Sequence, residues 1–112
     1  MVTDYHDILA DKRRLTQALK SIQLSEKQRE DMAMLHGAVR GVPVERDEGL
    51  RVRGDSVYSS SKIGANLSRY FEGVGPTDKM MWVGQLRKTS TGNEFWVMRS
   101  EMRSAMEAAG IV

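Results

Sequence analysis

The sequence predicts a single-domain α+β fold, and three observations carry that prediction. Apolar residues recur at helical spacing in four separate segments, two apolar runs flank a short polar loop as in a β-hairpin, and 112 residues is about the size of one compact domain. In order, the chain reads as an N-terminal antiparallel helical hairpin over 1–41, a connector over 42–57, and a unit over 58–112 made of a helix, a β-hairpin and a short C-terminal helix.

The first helix spans about 4–22. Thr3 or Asp4 can cap it, Asp4 and Asp7 suit the positive end of its dipole, and Ile8, Leu15, Leu19 and Ile22 share one face. Gln23-Leu24 turns the chain. Ser25-Glu26-Lys27-Gln28 has the S-x-x-Q form of a capping box that opens a second helix over about 26–39, with Met32, Leu35 and Val39 as its apolar stripe. Gly41 suits a left-handed stop and Pro43 blocks continuation, so the short connection implies an antiparallel pair. The narrow apolar stripes of this pair could serve a homodimer as readily as a core.

Between Val42 and Val57, Pro43, Gly49, Gly54 and the charges of Glu45 to Glu48 argue against a helix, while Leu50 and Val52 alternating with Arg51 and Arg53 allow a short edge strand. A third helix is expected from Ser60 or Ser61, with Ile63, Leu67, Tyr70 and Phe71 inward, ending at Gly73-Val74-Gly75-Pro76. The runs 80–88 and 93–99 then flank Thr89-Ser90-Thr91-Gly92 as a hairpin with a four-residue loop. Setting Lys88 opposite Asn93 pairs Arg87 with Glu94, Leu86 with Phe95, Gln85 with Trp96, Gly84 with Val97 and Val83 with Met98. In that register Leu86, Phe95, Val97 and Trp82 face the core, Gly84 leaves room for a neighbouring ring, and Trp96 lies on the opposite face. Ser100 is the expected cap of a last helix in which Met102, Ala105, Met106 and Ala109 share a face, closed by Gly110.

Composition bounds the function. Charged residues at 29% and apolar residues at 40% are ordinary for a folded domain, and the absence of cysteine removes disulfides, thiolate metal sites and cysteine nucleophiles. No apolar run approaches a bilayer span, and Met1-Val2-Thr3-Asp4 lacks the basic and apolar regions of a signal peptide, so the expectation is a cytoplasmic protein without membrane contact. Residues 1–48 hold eight Lys/Arg against nine acids, a net of −1, and residues 49–112 hold nine against six, a net of +3. The positive excess sits in the second half.

Catalytic and cofactor signals are poor. Ser59-Ser60-Ser61-Lys62 contains S-x-x-K, but the chain has neither S-D-N nor K-T-G and is too short for that enzyme class, so the serines read better as a capping cluster. His6 and His36, with no cysteine, have no metal-ligand spacing; there is no P-loop and no G-x-G-x-x-G. Arg53-Gly54-Asp55 is ordinary turn chemistry. The expectation is a protein that is not an enzyme and carries no cofactor or metal. The eight methionines, clustered toward the C-terminal third, suit an irregular core.

On the third helix Lys62, Asn66 and Arg69 fall at i, i+4 and i+7, away from the apolar face. Lys and Arg can neutralise phosphates, and Asn can read adenine with two hydrogen bonds. The hairpin tip adds Arg87, Lys88 and Thr89 before a flexible turn. A helix followed by a basic hairpin resembles the recognition helix and wing of winged helix-turn-helix DNA-binding domains, over roughly residues 50–112. Such domains pack a second helix just before the recognition helix, and 43–57 does not read as one; the alternative assignment makes 62–72 the supporting helix and Thr77 to Met81 a very short recognition turn. The resemblance implies a small, non-catalytic, transcription-regulatory DNA-binding module. Trp96 admits two readings: covered by a neighbouring helix, or a partner-binding anchor or base-stacking platform. The second functional class is accordingly a protein-interaction module, such as a small phage-type, anti-CRISPR-like regulator or inhibitor of a larger complex. Salt dependence separates the two classes.

Overall fold

A computed structural model describes residues 4–112. Asp4 caps α1 (Tyr5–Ala10), its carboxylate accepting the His6 N–H at 3.1 Å; Thr3, the other candidate cap, lies outside the described residues. The chain breaks at Asp11, whose carboxylate accepts the Arg14 N–H and so caps a new helix, α2 (Lys12–Ser21). The single helix expected over 4–22 is therefore two, because a short acidic side chain competes for backbone donors and opens a fresh N-terminus where the periodicity alone reads through. Ile8, Leu15 and Leu19 are buried as expected.

Ser25 forms the expected capping box with Gln28, each side chain accepting the other residue's backbone N–H at 3.1 and 3.0 Å, and opens α3 (Glu26–Gly37). This helix stops two residues short of the expected end, so Met32 and Leu35 are buried while Val39 stands 76% exposed. Gly41 takes the positive φ, +102°. The two N-terminal segments follow one another through a short turn, but their main packing partners lie elsewhere: α2 rests on α5 (Ser100–Ala108), and α3 on α4 (Asp55–Tyr70).

The connector contains β1 (Val42–Pro43) and a small antiparallel hairpin of β2 (Glu45–Arg46) and β3 (Val52–Arg53), in which Glu45 opposes Arg53 and Arg46 opposes Val52. Asp47 accepts the Arg51 N–H at 2.9 Å and tightens its turn. α4 then begins at Asp55, five residues before the expected start. Ser59 and Ser60, read in the sequence as part of a capping cluster, lie instead in its buried first turns: Ser59 donates to the Asp31 carboxylate, and Ser60 donates to the Ser56 carbonyl at 2.6 Å while accepting the Trp96 indole N–H at 3.0 Å. Eight residues on, Ser68 accepts the Trp82 indole N–H at 2.8 Å. Ile63 and Leu67 are buried between these polar anchors. Tyr70, expected inward, ends the helix 42% exposed, and Phe71 behind it is half-buried.

A 3₁₀ turn (Lys79–Trp82) lies across α4 and leads into β4 (Gly84–Lys88) and β5 (Glu94–Met98); the three-stranded sheet has order β1, β5, β4. The observed register differs by one residue from the expected one. Lys88 opposes Glu94, Arg87 opposes Phe95, Leu86 opposes Trp96, Gln85 opposes Val97 and Gly84 opposes Met98. The cause is the loop: the Gly92 N–H closes a turn onto the Thr89 carbonyl, and Gly92 then takes φ +89°, which inserts one left-handed residue and sets Thr89 opposite Asn93. A one-residue shift exchanges the faces. Leu86 and Trp96 turn to the core, Phe95 to the outer side, and Trp96 is fully buried. Its ring occupies the space beside Gly84 where a Cβ would otherwise stand, 2.8 Å from the nearest ring carbon. Trp82 is fully buried as expected, from the 3₁₀ turn rather than from a strand. Arg99, not Ser100, is the N-cap of α5, without a side-chain capping bond; Met102, Ala105 and Met106 are buried and Gly110 closes the helix at φ +74°.

Candidate nucleic-acid interface on α4

Because α4 spends Ser56, Ser59, Ser60, Ser68, Ile63 and Leu67 on the core, its remaining arc is polar and faces outward. Tyr58, Lys62, Asn66 and Arg69 follow at spacings of four, four and three, a single stripe along the helix. Tyr58, Lys62 and Arg69 are exposed and Asn66 is half-buried. Arg69 Nη2 donates to Asn66 Oδ1 at 2.6 Å, which fixes the amide's orientation and leaves Nδ2 as its group for an outside acceptor. At the start of the stripe Arg53 Nε donates to the Tyr58 hydroxyl at 3.0 Å, and that bond first, then the charge interactions with Tyr58, Asp47 and Glu45, holds the guanidinium still more firmly in its charged form. Arg51, one residue before β3, projects its side chain 86% exposed and lies 3.3 Å from Asp47. The Arg51 backbone N–H, foremost, pulls the Asp47 carboxyl below the usual aspartate range.

No acid occurs between residues 56 and 70. The one acid in α4, Asp55, lies in its first turn 3.4 Å from Lys27, whose ammonium also sits 3.4 Å from the buried Asp31. The hydrogen bond to Asp31 leads the causes that raise the Lys27 pKa.

The structure brings together Lys62, Asn66 and Arg69 and separates them from the hairpin tip. Arg87 and Lys88, being consecutive in a strand, point to opposite faces. Lys88 lies across from Glu94, which Arg46 grips through two bonds of 2.7 Å. Those bonds lower the Glu94 pKa and raise that of Arg46. Arg87 opposes Phe95 and lines a shallow cavity of about 180 Å³ with Arg99 and Arg103 at the start of α5. The Thr89 hydroxyl accepts the Asn93 N–H at 3.1 Å and meets Thr91 at 2.9 Å, so it builds the turn. Among the described residues no hydrogen bond or ion pair joins the tip to α4. Trp96 is a core residue bonded to Ser60, which overturns its reading as a partner anchor.

Arg53 and Tyr58 escape a reading that starts the helix at Ser60, since Tyr58 then falls off the helix. The signal was present in the four-residue step from Tyr58 to Lys62. The S-x-x-K pair separates in space: Ser59 is buried against Asp31 while Lys62 faces outward. Among the described residues there is no cluster of three His, Asp or Glu able to hold a metal ion, and no helix long and apolar enough to cross a membrane. No protein-family model, curated protein or solved structure matches the chain.

Proposed function

We propose that the protein is a small, non-catalytic DNA-binding module that lays the outward face of α4 against the phosphate backbone. The observation that supports this reading is the acid-free stripe of α4 from Tyr58 through Lys62 and Asn66 to Arg69, with Arg53 hydrogen-bonded to its Tyr58 end. Lys62 and Arg69 are seven residues apart, about 10 Å along the helix axis at 1.5 Å per residue, so they can engage separate phosphates. Asn66 between them is placed to meet a base edge while its neighbours fix the register. The reading keeps the helix of a winged arrangement and moves its flanking hairpin from β4–β5 to β2–β3.

The test is fluorescence anisotropy of a labelled duplex and of a single strand at several salt concentrations. Neutralising about three phosphates gives a log–log salt slope near −3 for duplex. Combining Lys62→Glu with Arg69→Glu should abolish binding while leaving the melting temperature nearly unchanged, because exposed charges contribute about 1 kcal/mol or less. Asn66→Ala should alter sequence preference more than general affinity. Absence of salt-sensitive binding to either DNA at micromolar concentration refutes the reading. The second reading, a protein-interaction module acting as a regulator or inhibitor, draws support from Met34 in the last turn of α3 and Val39 just past it, which stand 61% and 76% exposed. Binding there would respond little to salt.

A further inference from the structure

A broad cavity lies away from the α4 stripe, where α1 and α2 meet the segment that follows α4. It is open to solvent and measures about 720 Å³, within the range of small-molecule sites. Its floor is apolar, made by buried Ile8 and half-buried Phe71 and Val74. Two cations, Arg13 and Arg14, stand on one side, and the Arg14 guanidinium carbon lies 5.6 Å from the centre of the Phe71 ring. An aromatic face, rather than a carboxylate, holds that charge in place. Among the described residues neither arginine has a carboxylate within 4.0 Å, so both keep their charge for another partner.

The remaining charged lining residue is Glu72, and its backbone is unusual. It takes φ +57° at the first position past the cap of α4, the left-handed site where glycine is the ordinary occupant. Gly73 follows at φ +90°. A glutamate held there costs stability that a glycine would return, and such strain is a pointer to function when the side chain lines a cavity. The wall therefore offers two cations, one anion and an apolar floor within a single concavity. We propose that this cavity binds a free α-amino acid with a large apolar side chain, its carboxylate on Arg13 and Arg14, its ammonium on Glu72, and its side chain on Ile8, Phe71 and Val74. A ligand lacking either charge leaves one sign of the wall unmatched. This site is independent of the DNA-binding reading.

The test is an NMR titration that follows the Trp82 indole N–H, because Trp82 stacks on Phe71 with ring centres 5.7 Å apart and planes 26° from parallel. L-phenylalanine should give a saturable shift. 3-Phenylpropionate, which lacks the ammonium, and phenethylamine, which lacks the carboxylate, should each bind about tenfold more weakly or worse, and glycine should not bind. Arg13→Ala should weaken L-phenylalanine by a similar factor. Glu72→Gly should raise the melting temperature and, in the same protein, erase the preference for L-phenylalanine over 3-phenylpropionate. A stabilised protein cannot owe that loss to misfolding. The proposal is overturned by the absence of any shift at about 10 mM L-phenylalanine, by equal affinity for 3-phenylpropionate, or by a Glu72→Gly protein that keeps the preference.

Discussion

Two serine hydroxyls decide how α4 sits. Trp82 and Trp96 are fully buried, and each has one polar atom, an indole N–H, that must find an acceptor away from water. Ser68 and Ser60 provide those acceptors. Ser60→Ala and Ser68→Ala should each destabilise by about 1–3 kcal/mol, since each strands a buried donor, whereas exposed Ser61→Ala should stay within about 0.5 kcal/mol of the parent. Chemical denaturation of the three variants checks this. Gly64→Ala belongs to the same region and acts by overlap, because its Cβ would penetrate the Lys79 carbonyl. Trp96 itself shows why a residue's role can be illegible in sequence. Its polar handle, and the Gln85, Arg87 and Glu94 that the expected register places around it, suit an outer face, and only the register, set by Gly92, turns it inward.

At the scale of elements, legibility followed the kind of signal each element carries. The capping box at Ser25, the apolar spacing of Ile63 and Leu67, and the methionine face of α5 are local and periodic, and all three are as the sequence implies. The break at Asp11 and the start of α4 at Asp55 are set by side chains bonding to backbone or to distant partners, which periodicity does not register. Thus the Lys62, Asn66 and Arg69 part of the candidate site was readable, while Arg53 and Tyr58 depended on where the helix begins. The β2–β3 hairpin carries its own prediction. Arg46 ties it to β5 through Glu94, whose pKa is lowered in the folded protein. The contribution of this pair is therefore present above the ordinary glutamate value near 4.3 and is lost as pH falls through the lowered one. Hydrogen exchange at β2 and β3 should accelerate relative to α4 in that acidic window, and Arg46→Met should abolish the difference.

Across the whole molecule, α4 is the member that the other parts share: α3 lies on one side, the 3₁₀ turn crosses it, and the sheet reaches it through Trp96. Its two indole bonds are eight residues apart, about 12 Å along the axis, so they resist tilt as well as rotation. The spacing and azimuth of Lys62 and Arg69 are accordingly settled before any partner arrives. An encounter on that face needs no folding step, and its thermodynamic signature should show it. Calorimetry at several temperatures would register a heat-capacity change no larger than the apolar area of the contact itself accounts for, without the large negative excess of a segment that orders as it binds.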